Sequence, residues 1–260
     1  MEFEFQKYHG TGNDFILIND KSQKFPLDNS DKIRFLCDRK FGIGADGLII
    51  IRNHDKFDFE MFYFNSDGMQ GSLCGNGSRC ALAFGINNNL SKNKVVFKAI
   101  DGIHTAKAES NNFFSLSFKD VKTIKRDKNA LFLDTGSPHY VELVENIDEI
   151  NVRAKGSLIR NSNRYKKNGV NVNFFKIIGP DKIKIRTYER GVEDETLSCG
   201  TGAVASSIAF HFLRLTKFDK LKVETPGGTL AVEFKFNSGI YKDIYLKGPA
   251  EKVFSGKIKW

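Results

Sequence analysis

Apolar and polar residues follow the same order twice along the chain. An alternating run from Phe57 to Phe64 predicts a half-buried strand, and a polar, glycine-rich stretch comes after it. A second alternating run, from Ile183 to Glu189, is also followed by a polar stretch. We therefore expect a strand and then a loop in each half of the chain.

Each predicted loop ends at a cysteine that opens a helix-like segment. The tetrapeptide CGNG begins at Cys74, and CGTG begins at Cys199, 125 positions further on. Small and apolar residues follow both tetrapeptides with a period nearer 3.6 than 2, which predicts a helix in each half. A hairpin with turn signals at Asp101 or Gly227 then follows each helix. This ordered repetition is a stronger signal than either tetrapeptide alone.

The repetition predicts the fold class. We expect an α+β protein of two pseudo-symmetric domains, each a mostly antiparallel sheet or barrel around a central helix, with the active site in the cleft between them. The first domain is placed at residues 1–118 and the second at 119–251, with the polar segment Lys119 to Asn129 as the linker. The closing stretch 252–260 stays open, with the first domain as one option.

Composition and charge exclude several classes of protein. The chain has 260 residues, and 40 Lys and Arg against 31 Asp and Glu give a net charge of +9. The basic residues are spread along the chain without a basic run, so we expect no nucleic-acid partner. No apolar run approaches the roughly 20 residues that span a bilayer. The first ten residues do not resemble a secretory signal, so we expect no membrane association and a cytoplasmic location.

The four cysteines are too few and too scattered for a disulfide framework. Cys37 and Cys80 lie in helix-like patterns and are expected in the core. The sequence has no CxxC pair and no HExxH motif, so we expect no metal site.

Cys74 and Cys199 have a chemical use if each begins a helix. A helix N-terminus presents unpaired backbone N–H groups and partial positive charge, which favour a thiolate. The same N–H groups, at Gly75, Asn76, Gly200 and Thr201, suit a carboxylate or phosphate. The alternative is a tight strand-to-helix connection with a buried cysteine. If the halves face each other, two thiols could remove a proton from one face of a carbon and return one to the other.

Such a pair of thiols holds one proton between two sulfurs, so other groups must decide which sulfur is ionised. His139 and Glu189 are candidates for this role through charge and hydrogen bonding. Taken singly, each is also compatible with an ordinary structural or surface role.

Five blocks in order resemble the diaminopimelate epimerase family, and together they span nearly the whole chain. They are YHGTGNDF (Tyr8 to Phe15), FGIGADGLI (Phe41 to Ile49), FNSDGMQGSLCGNGSRC (Phe64 to Cys80), GSPHYV (Gly136 to Val141) and YERGVEDETLSCGTGA (Tyr188 to Ala203).

The resemblance implies a cofactor-independent isomerase that interconverts LL- and meso-diaminopimelate, an amino-acid substrate of lysine and peptidoglycan biosynthesis. It implies no pyridoxal phosphate, and it suggests a homodimer. Cys74 and Cys199 would be the acid/base pair, with His139 and Glu189 tuning them. The implied substrate contacts are Asn13, Asn65, Gly75, Asn76, Asn171, Glu189, Arg190, Gly200 and Thr201.

Arg190 suits the carboxylate at the non-reacting end of the substrate, because a guanidinium can grip a carboxylate with two hydrogen bonds. Two positions depart from the family pattern: Gly47 stands where some relatives have Gln, and Ser137 stands where many have Asn. A racemase or epimerase of another amino acid, such as proline or hydroxyproline, is the nearest alternative. A non-enzymatic anion- or RNA-binding protein is a more distant one.

Overall fold

The computed structural model describes residues 2–71, 74–110 and 112–259. Ser72 and Leu73, which belong to the third sequence block, lie outside the described residues. The chain divides into two compact units, one formed by Met1–Leu116 with Gly248–Trp260 and the other by Ser117–Lys247. These limits differ by a few residues from the expected 118/119 and 251/252 boundaries, because the chain changes unit within two strands rather than in loops.

The first unit contains two helices and a mixed sheet. Its helices are α1 (Ser30–Cys37) and α2 (Gly75–Asn87). Its strands are β1 (Glu2–Gly10), β2 (Asn13–Asn19), β3 (Gly47–Arg52), β4 (Phe59–Asn65), β5 (Lys94–Ala99), β6 (Gly102–Ser110), most of β7 (Phe113–Phe118) and β17 (Glu251–Lys259).

The second unit repeats this composition. Its helices are α3 (Val152–Arg160) and α4 (Gly200–Phe212), with a short 3₁₀ helix at Ile147–Glu149. Its strands are β8 (Ile124–Asp127), β9 (Ala130–Asp134), β10 (Pro138–Leu143), β11 (Asn171–Gly179), β12 (Lys182–Glu189), β13 (Asp194–Thr196), β14 (Lys220–Thr225), β15 (Gly228–Asn237) and most of β16 (Ile240–Pro249).

The two units share one order of strand pairing. In the first, the pairs β1–β2, β3–β4, β5–β6 and β6–β7 are antiparallel, whereas β2–β3 and β4–β5 are parallel. In the second, β9–β10, β11–β12, β14–β15 and β15–β16 are antiparallel, and β10–β11 and β12–β14 are parallel. Parallel neighbours need a crossover connection; α1 and α3 lie in the first crossover of each unit, and α2 and α4 lie in the second.

The helix after each CGxG tetrapeptide is almost wholly buried. Eleven of the 13 residues of α2 and ten of the 13 residues of α4 are buried. The small residues after each cysteine make this possible, because they let sheet residues approach the helix backbone closely. In the second unit, Ala203, Ile208 and Phe210 of α4 belong to a core cluster with residues of the surrounding strands. The α+β fold class is confirmed.

The segment Lys119 to Asn129, which the sequence predicts to be a linker, instead contains β8, which pairs with β9. Its Asp127 is buried and accepts hydrogen bonds from Arg164 and Tyr165. These partners lie almost 40 positions away, which is why a polar local composition looked like a linker. Among the described residues, no helix is both long and apolar enough to span a membrane.

Candidate active site

Cys74 caps the N-terminus of α2. Its backbone is extended, with φ −98° and ψ 118°, and its Sγ accepts a hydrogen bond from the backbone N–H of Gly77 at 3.4 Å. This is the position at which an N-terminal side chain satisfies one of the unpaired amides of the first turn. Cys74 is half-buried.

The side chain of Asn13 contacts this thiol, and the side chain of Asn76 is hydrogen-bonded to Asn13. The Cys74 Sγ is 3.6 Å from Asn13 Oδ1, and the same oxygen accepts a hydrogen bond from Asn76 Nδ2 at 3.2 Å. Asn13 begins β2 and Asn76 lies in the first turn of α2. The fold thus brings together four sequence-predicted residues of the first unit: Cys74, Gly75, Asn76 and Asn13.

A buried arginine, Arg79, is hydrogen-bonded to several residues around Cys74. Arg79 is fully buried and donates to Asn76 Oδ1 at 2.9 Å, to Gly75 O at 3.2 Å and to Thr11 Oγ1 at 3.3 Å. It also donates to Pro249 O at 3.3 Å. All these acceptors are neutral. Burial lowers the pKa of Arg79 to about 10, and interactions with the thiols of Cys80 and Cys74 oppose that shift.

Asn13 is held by an ionic cluster. Its Nδ2 donates to Asp46 at 2.7 Å, and Arg39 contacts both Asp46 and Asp14. Lys7 forms a further ion pair with Asp14 at 2.8 Å. Burial alone would raise the pKa of Asp14, but hydrogen bonds from Arg39 and Lys7 hold this pKa well below its usual range. The Asp14 carboxylate therefore stays charged, and the hydrogen bond from Asn13 to Asp46 fixes the start of β2.

Asn65, at the end of β4, accepts a hydrogen bond from the Tyr63 hydroxyl at 2.8 Å. The neighbouring Gly47 has no room for a side chain, because a Cβ there would lie 2.5 Å from Phe64 O and 2.7 Å from the Tyr63 ring. Phe64 O and the Tyr63 ring therefore occupy the space beside Gly47, so this position requires glycine.

Cys199 occupies the same place in the second unit. It precedes α4 with an extended backbone, φ −115° and ψ 108°, and only 4% of its surface is exposed. Its Sγ lies 3.5 Å from Thr201 Oγ1. The Thr201 carbonyl accepts a hydrogen bond from Thr135 Oγ1 at 2.9 Å, which links this turn to the chain just before β10.

His139, on β10, is fully buried beside Asn173 of β11. Asn173 Nδ2 lies 3.0 Å from His139 Nδ1, and Asn173 Oδ1 accepts a hydrogen bond from Thr187 Oγ1 at 3.0 Å. Burial, together with the charge of Arg190, lowers the pKa of His139 to about 3. His139 is therefore neutral at physiological pH.

Asn171, Glu189 and Arg190 form a connected group at the ends of β11 and β12. Asn171 Oδ1 accepts a hydrogen bond from the Arg190 backbone N–H at 2.8 Å, and Thr196 Oγ1 donates to Glu189 Oε2 at 3.0 Å. The Arg190 guanidinium donates to Asn168 O at 2.9 Å. This anchor leaves the other guanidinium nitrogens with donor capacity for a carboxylate.

The layers beneath the two thiol-bearing helices differ in polarity. A Cβ on Gly77 of α2 would contact Ile49 Cδ1 at 3.0 Å and Phe15 Cε1 at 3.5 Å. At the matching Gly202 of α4, it would lie 2.3 Å from Asn173 Oδ1 and 3.3 Å from Cys199 Sγ.

The strand registers show that these layers are equivalent. Ile49 pairs with Tyr63 as Asn173 pairs with Thr187. Phe15 pairs with Gly47 as His139 pairs with Asn171. The apolar Ile49 and Phe15 of the first unit therefore correspond in register to the polar Asn173 and His139 of the second.

The other two cysteines are buried in the first unit. Cys37 belongs to the core cluster that contains Ile33 and Leu36, and burial raises its pKa to about 12. Burial also raises the pKa of Cys80 strongly. Within the described ranges, no group of three or more His, Cys, Asp or Glu side chains could hold a metal ion.

Sequence patterns alone missed Arg79 and Asn173. Arg79 was hidden in the small-residue helix SRCALAFGI, and Asn173 in the apolar strand NVNFF. A polar residue inside an otherwise buried apolar segment was the available signal, because such a residue needs a dedicated partner.

Comparison with known proteins identifies close relatives. The family model described as "Diaminopimelate epimerase" matches residues 5–114 and 131–253. A diaminopimelate epimerase of Flavobacterium psychrophilum is 48% identical over 252 residues, covering 97% of this chain and 98% of the relative. One of Aquifex aeolicus is 38% identical over 274 residues, covering 98% and 97%.

Solved structures with low sequence identity share the fold. A phenazine biosynthesis protein of the PhzF family from Bacillus anthracis gives a TM-score of 0.79 at 14% identity, with both chains fully covered. A probable proline racemase from Agrobacterium radiobacter gives 0.70 at 14% identity, covering 99% of this chain and 93% of that one.

Proposed function

This chain belongs to the diaminopimelate epimerase family and is therefore an isomerase, and on that premise we propose that it interconverts LL- and meso-diaminopimelate with Cys74 and Cys199 as the two bases. The supporting observation is that each thiol caps one of two equivalent helices, within the same order of strand pairing. In this mechanism one thiolate takes the α-proton from one face of the carbon, and the other thiol gives its proton to the opposite face.

The backbone N–H groups at the two helix N-termini suit the carboxylate of the reacting end. Negative charge moves onto this carboxylate as the α-proton leaves, so fixed N–H dipoles lower the barrier. Asn13 and Asn76 hold the surroundings of Cys74 by side-chain hydrogen bonds. No pyridoxal phosphate is needed in this scheme.

Arg190 is proposed to bind the carboxylate at the distal end of the substrate. Its anchored guanidinium and the neighbouring Glu189 offer one positive and one negative group, which match the carboxylate and ammonium of an amino-acid end. Proline lacks a distal amino-acid group, so this pair favours diaminopimelate over the proline alternative.

The proposal also includes a homodimer and a cytoplasmic location. Sedimentation tests the oligomeric state, and cell fractionation tests the location.

The test is epimerisation of LL-diaminopimelate in D₂O, with proline and glutamate as comparison substrates. We expect turnover of diaminopimelate only, with deuterium in the product but not in substrate recovered early, because separate groups remove and return the proton. Cys74→Ala and Cys199→Ala should each lower kcat by on the order of 10³-fold, whereas Cys37→Ala, a buried control, should keep most activity. Normal turnover in either site variant contradicts the two-base mechanism.

A further inference from the structure

The side-chain amide of Asn173 has a fixed orientation. Its Nδ2 donates to the Tyr140 carbonyl at 3.0 Å, and its Oδ1 accepts from Thr187 Oγ1. A carbonyl oxygen can only accept, so the atom facing Tyr140 O must be the nitrogen. Exchanging the two amide atoms would place two oxygens against each other.

This orientation determines which nitrogen of His139 carries the proton. Asn173 Nδ2 lies 3.0 Å from His139 Nδ1, and an amide nitrogen donates but does not accept. His139 Nδ1 must therefore be the acceptor and carry no hydrogen. A neutral imidazole then has its hydrogen on Nε2.

That Nε2 is buried and has no hydrogen-bond partner among the residues that the structure describes. A buried donor without a partner loses its hydrogen bond to water without a replacement, and such groups are rare in folded proteins. The same amide also contacts the first turn of α4, where a Cβ on Gly202 would lie 2.3 Å from Asn173 Oδ1 and 3.3 Å from Cys199 Sγ. The first unit has Ile49 at the equivalent position, which has no amide to form these hydrogen bonds.

We propose that Asn173 is a positioning residue of the epimerase reaction, which holds His139 as the neutral tautomer with its proton on Nε2, so that His139 acts as a hydrogen-bond donor and not as a base. This role rests on the proposed function, whereas the tautomer follows from the hydrogen bonds alone. The donor suits an anionic acceptor, such as a carboxylate oxygen or a thiolate.

The tautomer is tested by ¹⁵N NMR of the imidazole nitrogens, which distinguishes protonated from unprotonated ring nitrogen. The His139 signals are those that disappear in His139→Gln. In the native protein at neutral pH we expect Nδ1 to be unprotonated and Nε2 to be protonated. A protonated Nδ1 overturns the inference, and this measurement needs no variant of Asn173.

Asn173→Asp provides the second test, because a carboxylate of the same shape accepts where the amide donated. We expect His139 Nδ1 to become protonated and kcat to fall by about 10²-fold, with KM changed much less because Asn173 binds no substrate. Thr187→Val is the matched control: it removes the hydrogen bond that Asn173 Oδ1 accepts, keeps those that Nδ2 donates, and should leave the tautomer unchanged. An unprotonated Nδ1 in Asn173→Asp overturns the inference.

The two hypotheses fail separately. The expected tautomer in a protein without epimerase activity would contradict the proposed function and leave the tautomer assignment standing. Full activity in Asn173→Asp, with Nδ1 protonated, would instead overturn the positioning role.

Discussion

At the scale of single residues, the site depends on titratable side chains whose protonation state is fixed by burial and by neighbouring charges. His139 is neutral because it is fully buried near the charge of Arg190. Arg79 is buried among neutral acceptors, and Asp14 stays ionised because Arg39 and Lys7 contact it. Each of these residues also has a contact with a residue 25 or more positions away in the sequence: Arg79 with Thr11, Asp14 with Arg39, and His139 with Asn173.

Acid should destabilise the protein through His139. Its pKa falls from 6.5 to about 3 on folding, so below pH 6.5 the unfolded chain binds a proton that the folded chain does not. His139 therefore does not lower the free energy of unfolding above pH 6.5. Between pH 6.5 and 3 it lowers this free energy by about 1.4 kcal/mol for each pH unit of acidification. Urea unfolding between pH 4 and 7 should show a flatter slope for His139→Gln than for the native chain. Equal slopes would contradict this prediction.

Arg79 should affect both stability and the chemistry of one thiol. Arg79→Met keeps much of the volume but removes all the hydrogen bonds that the buried guanidinium donates, which should cost at least about 2 kcal/mol in urea unfolding. Loss of the positive charge should also slow alkylation of Cys74 at fixed pH, because the charge favours its thiolate. Arg79→Lys should retain more of that rate. Cys199 is the internal control, and equal slowing at both cysteines would argue against a local effect.

At the scale of elements, the two CGxG helices are equivalent in position but packed on different surfaces. The layer beneath α2 contains Ile49 and Phe15, and the layer beneath α4 contains Asn173. An aliphatic side-chain end can move by a few tenths of an ångström. The Asn173 amide cannot do so easily, since four hydrogen bonds hold it.

This difference predicts unequal effects of one substitution in the two helices. Gly202→Ala places a methyl group 2.3 Å from Asn173 Oδ1, so it should destabilise the protein by about 1–3 kcal/mol despite the better helix propensity of Ala. Gly77→Ala meets only the end of Ile49 at 3.0 Å and should be milder. Urea unfolding of the two variants measures the difference, and a larger loss for Gly77→Ala would contradict the assigned packing.

The helices and strands around each cysteine were predictable from the sequence because their signals are local. The alternating run before Cys74 became β4, and the small apolar residues after it became α2. Partner choice was not predictable in the same way. β8 was mistaken for a linker because the residues that bury Asp127 lie far along the chain, and Asn173 gained its meaning only through its contacts with His139 and Thr187.

At the scale of the whole molecule, the second unit is inserted between two segments of the first. The strand β17 lies after the whole second unit in the chain, and it pairs with β1 along nearly its full length, from Glu2 opposite Lys259 to His9 opposite Glu251. The sheet of the first unit is therefore complete only when segments from both sides of the insertion are present.

The order of these segments has a consequence during synthesis on the ribosome. The whole of Ser117–Lys247 emerges before β17 does, so the inserted unit can complete its fold while the earlier-made part still lacks its last strand. Limited proteolysis of arrested nascent chains that end soon after residue 247 has left the exit tunnel should give a protected fragment from the inserted unit. The amino-terminal segment should gain protection only in longer chains.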